Sequence, residues 1–418
     1  MSTSLPDPCE DVRGTLSLDD AVARMAAAAK PVTDTETLPL RQALGRVLAA
    51  DVTAGVDVPA HSNSAMDGYA LAGSSLPGDG AGSRAFRVIG TAWAGHPFDR
   101  PPAPDECVRI MTGAPMPPGT DTVVMQDHVD RTDDRATIPA VQRAGQHVRL
   151  GGEDIAAGAT AVAAGTQLEP AHLGVIASVG VGHVDVLRRP KVAFFSTGDE
   201  LTAVGTPLAP GQIYDSNRYS LFGMLERLGV EAVDLGVVRD DRDAVDAALR
   251  DAGESADAIV TSGGVSVGEA DFVTDALRAH GDFDFWKVAM KPGKPVAFGR
   301  IGNALFFGLP GNPVSVMVTF YQLVRPTLLA LAGRPPQPIL TLTARCDSRL
   351  KKKPGRREFQ RGLLAREETG WVVRSAGGQG AGILSGMAAA NCFIVLDEDS
   401  AGISPGTTGQ VQPFAPFV

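Results

Sequence analysis

Residues 191–200 read KVAFFSTGDE, and the fold is decided by how this stretch is read. Positions 192–195 are apolar without alternation, the pattern of a strand covered on both faces rather than one facing water. Gly198, Asp199 and Glu200 follow at once, so the strand runs straight into a polar loop. Toward the C-terminus, residues 220–228 place Leu221, Leu225 and Leu228 on one helical face, and 231–238 read as a second strand. Val245, Ala248 and Leu249 mark a further helix, 258–262 (AIVTS) a third strand, and Phe272, Val273, Ala276 and Leu277 the helix after it. Strands alternating with helices predict an α/β domain with a mostly parallel sheet wound in right-handed crossovers. The run 304–309 then passes through Pro310-Gly311 into Asn312-Pro313, a cap residue followed by proline at the first helical position.

On the N-terminal side, residues 17–30 are alanine-rich, with Ser17 or Asp19 available as a helix cap. Between 47 and 126, short apolar runs are separated by clusters such as Pro101-Pro102 and Pro117-Pro118-Gly119, which predicts a β-rich lobe. A helix at 171–179 and a strand at 184–187 lead into the α/β segment. Residues 314–331 form the most apolar long stretch, but Gln322, Arg325 and Pro326 interrupt it, so it reads as a buried helix rather than a membrane span. The proline-rich linker 332–338 (AGRPPQP) marks a domain boundary. Short alternating stretches at 340–343, 359–363 and 371–374 predict a small C-terminal β-barrel.

A chain of 418 residues, 44% apolar and 21% charged, is an ordinary globular composition divided among two to four domains. A net charge of -10 argues against nucleic acid as a partner, the only dense basic focus being Lys351 to Lys353 with Arg356 and Arg357. Cys9, Cys107, Cys346 and Cys392 are scattered without a C-x-x-C pair, which suits a reducing compartment. With a polar N-terminus lacking signal-peptide character, this predicts a cytoplasmic protein without a membrane partner.

In an open parallel sheet, ligands bind beyond the carboxyl ends of the strands. The first loop there brings Asp199 and Glu200, the second Asp240 and Asp241, the third Gly263, Gly264, Gly268, Glu269 and Asp271. One of Asp240 and Asp241 has the position of a helix cap, and Asp271 has a similar one. Carboxylates on three loops of one rim repel one another unless a cation sits among them, and Mg²⁺, which takes carboxylates, waters and phosphate oxygens, suits such a site. The glycines of TSGGVSVG (261–268) let backbone N–H groups approach an anion, and Lys287, Lys291 and Lys294 add cations to the same domain. The segment 264–268 also matches the G-x-S-x-G of a serine hydrolase. The only later histidine is His280, at the far end of the next predicted helix and roughly 15 Å from Ser266, too far for a triad.

Nine stretches, in one order along nearly the whole chain, resemble the molybdopterin molybdenumtransferase family, the metal-inserting enzymes of molybdenum-cofactor synthesis, akin to the C-terminal domain of gephyrin. They are SNSAMDGYA (62–70), RIMTGAPMPPGTDTVVMQ (109–126), GGEDI (151–155), FSTGDEL (195–201), IYDSN (213–217), TSGGVSVGEADF (261–272), KPGKP (291–295), GLPGNPVS (308–315) and GRREFQRG (355–362). Asp127, where the family pattern has glutamate, and the extension before residue 14 are the departures.

The resemblance implies four domains: a discontinuous linking domain (14–46 and 149–188), a β-rich lobe (47–148), the α/β molybdopterin-binding domain (189–333) and a C-terminal β-barrel (339–418). It further implies a homodimer in which Asp67 and Asp154 complete the α/β site of the other subunit. Glu200, Asp240 and Asp271 resemble the metal-and-phosphate carboxylates, and Lys287, Lys291 and Lys294 the anion-binding lysines. Thr112, Ser262, Gly263, Gly264, Ser266, Pro310 and Asn312 fall in the matching substrate-binding stretches, and Arg357 and Ser385 resemble oxyanion-holding residues of the barrel. The reaction implied is Mg²⁺-dependent insertion of molybdate into adenylylated molybdopterin with release of AMP, with contact to other molybdenum-cofactor enzymes. The alternatives are a molybdopterin adenylyltransferase, which leaves the AMDGYA lobe and the barrel unexplained, and a scaffold protein that retains the cofactor-binding domain.

Overall fold

A computed structural model of the chain describes residues 15–78, 82–263 and 283–414. It divides into two compact units, Thr37–Val186 and a second made of Met1–Glu36 with Leu187–Val418.

The Thr37–Val186 unit is built around a curled sheet in the order Thr122–Met125, Gly68–Leu71, Glu106–Ile110, Ser83–Ala92, Arg135–Pro139, Asp130–Thr132. Side chains alternate across it. Tyr69, Cys107 and Val124 enter one apolar cluster, while their neighbours Ala70, Val108 and Val123 enter another on the opposite face. A third cluster, including Leu48, Leu168, Ile176 and Val186, gathers segments from both ends of the unit. His172, isolated in the sequence, accepts the Glu169 backbone N–H through Nδ1 at 2.9 Å and so helps cap the helix Pro170–Ser178.

In the other unit the strands and helices are β1 (Lys191–Thr197), α1 (Ser216–Leu228), β2 (Glu231–Val238), α2 (Arg242–Ser255), β3 (Ala258–Ser262), β4 (Phe283–Lys287), β5 (Pro295–Ile301), β6 (Ala304–Leu309) and α3 (Pro313–Thr319). They form one sheet in the order β2-β1-β3-β6-β5-β4. The first four strands run parallel, while β5 and β4 are antiparallel additions at the far edge. Every residue of β3 and β6 is buried, and the two faces carry separate cores. Val192, Phe194, Val260 and Phe307 lie on one side, Ala193, Phe195, Ile259 and Phe306 on the other. The first face is covered by α1, by the helix Leu18–Ala28 and by the helical stretch 313–331. Ser17, rather than Asp19, caps Leu18–Ala28, accepting the Asp20 N–H at 3.0 Å. The stretch 313–331 is α-helical at both ends and π-helical at Phe320–Val324. It is long and apolar enough to cross a membrane, yet 78% of it is buried in this core, as the interrupting polar residues predict.

The C-terminal strands β7 (Leu342–Cys346), β8 (Arg357–Glu367), β9 (Gly370–Ser375), β10 (Cys392–Leu396) and β11 (Thr407–Pro413) close into a five-stranded barrel, β8-β9-β7-β11-β10-β8. Gly362 sits where a Cβ would come within 2.9 Å of Ile394, Cys392 and Val373, so the barrel closes around a position without a side chain. Burial pushes the thiols of Cys107 and Cys392 up to about 12, leaving them unreactive packing groups.

Candidate active site

The parallel strands end at Val238, Thr197, Ser262 and Leu309, and the loops that follow share one rim. Gly263 leaves β3 with φ +91°, and a Cβ there would lie 2.6 Å from the Thr197 carbonyl oxygen, so the chain passes only because the residue is glycine. Its N–H donates to the Leu309 carbonyl at 3.2 Å, joining the loop after β3 to the one after β6. Asn217, in the first turn of α1, bridges the same loops: its Nδ2 donates to Ser262 Oγ at 2.8 Å and to the Gly311 carbonyl at 2.7 Å. Below them Asp215, 1% exposed, caps α1 and also accepts the Ser196 hydroxyl and the Arg218 guanidinium. Pro310 is buried; Asn312 occupies the cap position of α3, but its side chain makes no capping bond. Gly264, Ser266, Asp271 and His280, and the helix expected at Phe272 to Leu277, lie outside the described residues.

Carboxylates crowd the same rim. Glu200 folds back over Gly198, whose missing Cβ would stand 2.6 Å from Glu200 Oε2. Of the two adjacent acids after β2, Asp241 is the helix cap, accepting the Ala244 N–H at 2.9 Å. Asp240 is left without a capping duty. Its carboxyl is held above the usual range, first by burial and then by the charges of Asp199, Glu200 and Asp241. Among the described residues no three acids, histidines or cysteines converge closely enough to hold a metal ion. The hard oxygen donors and their mutual repulsion are nevertheless of the type that Mg²⁺ relieves.

The basic residues occupy a second edge. Lys287 ends β4 and is exposed, and Lys291 and Lys294 flank the turn that joins β4 to β5. Gly293 lets this turn sit on α3: at φ +102°, a Cβ would be 2.4 Å from Thr319 Oγ1. The short strand Met290–Lys291 pairs in parallel with Arg357–Glu358 of β8, which sets Lys291 Nζ 3.2 Å from Glu358. Arg357 is also engaged, donating to Asp19 at 2.9 and 3.1 Å and ion-paired with Glu398 at 3.2 Å. These bonds, the one to Asp19 first, hold its guanidinium above its ordinary value. Ser385 is exposed on the helix Leu384–Ala389, whose next residue, Gly386, packs against Arg361.

Arg361 itself was not singled out by the motif. It is fully buried, donates from Nη2 to the carbonyls of Gly378 and Gly380, and has no carboxylate partner among the described residues. Burial lowers its pKa. The signal available for it was strand alternation, which places 361 on the same face as the buried Phe359.

In the Thr37–Val186 unit, Asp67 precedes the strand Gly68–Leu71 and Thr112 follows Glu106–Ile110. Thr112 donates to Asp67 Oδ1 from both its backbone N–H and its hydroxyl, each at 2.7 Å. These two bonds, the backbone one first, and the charge of Arg109 hold the exposed Asp67 carboxyl below its usual range. Asp154 is exposed in a tight loop, where its N–H donates to the Val58 carbonyl at 3.0 Å.

Profiles of known families cover most of the chain: the MoeA N-terminal region (domain I and II) matches residues 16–180, the "Probable molybdopterin binding domain" 193–330, and the MoeA C-terminal region (domain IV) 343–414. A protein named molybdopterin molybdenumtransferase from Haemophilus influenzae is 43% identical over 96% of this chain and 98% of its own length. The protein of that name from Bacillus subtilis is 32% identical over 96% and 94%. Among solved structures, a molybdopterin biosynthesis moeA protein from Pyrococcus horikoshii OT3 superposes with a TM-score of 0.81 at 27% identity, covering 96% of this chain and all of that one.

Proposed function

The chain belongs to the MoeA family of molybdopterin molybdenumtransferases, and from that premise we propose that it inserts molybdenum from molybdate into molybdopterin at the rim formed by the loops after β1, β2, β3 and β6. The observation that carries the reading is the pairing, on one rim, of a repelling carboxylate group with a glycine-lined cradle. One suits a cation and the other an anion, as a phosphorylated substrate and its counter-ion require.

In this reading the substrate is adenylylated molybdopterin, and its phosphoanhydride is cleaved with release of AMP. Glu200, Asp240 and Asp271 would hold Mg²⁺, which when bound supplies charge neutralisation at the phosphoanhydride. Ser262, Gly263, Pro310 and Asn312 line the cradle for the phosphate-bearing part, and Gly264 and Ser266, outside the described residues, would join them. Lys287 and Lys294 bring molybdate, an anion, toward an anionic substrate on a protein of net charge -10. Lys291 serves the same end from its ion pair with Glu358, so it contributes less net charge than its position alone suggests. The same compensation weighs on Arg357, engaged with Asp19 and Glu398, and Ser385 stands at the exposed edge of the barrel. We further propose that the protein works as a homodimer in the cytoplasm, with Asp67, oriented by Thr112, and Asp154 completing the site of the other subunit.

The test is AMP release from adenylylated molybdopterin by the full chain with Mg²⁺, with and without molybdate. Molybdate-dependent release is expected; release indifferent to molybdate, or none, overturns the reading.

A further inference from the structure

Both hydrogens of the Asn217 amide are used inside the protein, one by Ser262 Oγ and one by the Gly311 carbonyl. A carbonyl oxygen only accepts, so Gly311 fixes which end of the amide faces it: the nitrogen. Asn217 therefore presents a donor to Ser262 as well. A hydroxyl that accepts a hydrogen bond keeps its own hydrogen for another partner. Among the described residues the Ser262 hydroxyl has no such partner, although Ser262 is only 2% exposed. Meanwhile Asn217 Oδ1 is buried and accepts no hydrogen bond among the described residues, an unfavourable state for a polar atom. The neighbouring Thr197 Oγ1, beside Gly263, is likewise buried without a partner among the described residues.

We infer that Asn217 is a positioning residue for the substrate: one amide ties the loop after β3 to the loop after β6 and leaves the Ser262 hydroxyl hydrogen for an oxygen of the bound phosphate-bearing pterin. This rests on the function proposed above for the same rim. Asn217 acts through Ser262 and Gly311, and so governs binding more than the chemical step.

The isosteric change Asn217→Asp separates this role from packing. A carboxylate accepts where the amide donates, so it draws the Ser262 hydrogen toward itself and sets like partial charges against the Gly311 carbonyl. For the full chain acting on adenylylated molybdopterin, N217A is expected to raise KM about 10-fold and N217D about 100-fold, the range of a lost hydrogen bond to a charged group plus an added repulsion. The effect on kcat should stay within a few-fold. In a Ser262→Ala background, N217A should raise KM by clearly less than it does alone, about 3-fold rather than 10-fold, because one of the two partners through which it acts is gone.

A wild-type KM in N217D, a loss confined to kcat, or additive effects of N217A and S262A would each overturn the inference while leaving the function intact. If N217D does not fold, N217A alone carries the test through its KM and its coupling to S262A. If the wild type turns nothing over, the proposed function fails, and titration with molybdopterin decides the inference separately. Weaker binding to N217D or N217A than to the wild type supports it; equal binding, or no binding to the wild type, refutes it.

Discussion

Replacing Gly263 by alanine tests whether the rim is assembled as described, and Gly205 provides a matched control. Both glycines have φ +91°, but a Cβ at 263 would stand 2.6 Å from the Thr197 carbonyl oxygen, whereas at 205 it meets nothing within 4 Å. Each substitution carries backbone strain of about 1–3 kcal/mol. Both also reduce the freedom of the unfolded chain by a similar amount, about 0.4–1 kcal/mol in favour of folding. Only Gly263→Ala adds overpacking, about 1–3 kcal/mol, and the obstructing atom belongs to the backbone of β1, which cannot rotate aside as a side chain would. The difference between the two variants, about 1–3 kcal/mol, therefore isolates the contact between the ends of β1 and β3. Equilibrium urea unfolding measures it, with Trp286 of β4 reporting on the same sheet. Equal losses in the two variants would refute the packing of these loops.

Asp240→Asn should stabilise the protein at neutral pH by about 0.5–2 kcal/mol while abolishing turnover, the exchange expected where charges are crowded for function. The sign follows from the raised folded-state pKa of Asp240. Its penalty is fully present above that value and fades as pH falls through it, so the advantage of the variant in melting temperature should shrink on acidification. Thr112→Val removes one of the two bonds that hold Asp67 ionised and keeps the backbone bond. The Asp67 carboxyl, followed by carbon-detected NMR, should titrate at higher pH than in the wild type; an unchanged titration would mean the hydroxyl bond is not made. Mixtures of the inactive variants Asp67→Ala and Asp240→Ala should regain turnover if the site is shared between two subunits, and stay inactive if each chain holds its own.

The central parallel strands β1, β3 and β6 were legible because they are buried on both faces and so read as apolar runs, whereas β2, at the sheet edge, has no fully buried residue and reads as a strand mainly from its place between two helices. The antiparallel strands β4 and β5 were not legible, since nothing in 283–301 separates an edge hairpin from a loop that presents lysines. Asp240 and Asp241 are equivalent by propensity. Only the start of α2 decides that Asp241 caps and Asp240 is left to the rim. The lysines and Arg357 could be singled out from the sequence, but not their partners. Lys291 meets Glu358, and Arg357 meets Asp19, through pairings between segments far apart in the chain, which carry no local signature. Asn217 was visible as part of a motif, yet its role exists only where two loops meet.

The proposed chemistry is insertion of molybdenum at the rim bearing Asp240. It is tested most directly by supplying the full chain with adenylylated molybdopterin, Mg²⁺ and molybdate, and assaying the product for its power to activate a molybdenum-free oxidoreductase. Wild-type protein should yield activating cofactor only when molybdate is present, and Asp240→Asn, folded and more stable, should yield none. Equal yields from the two proteins would mean that this rim is not where molybdenum is inserted.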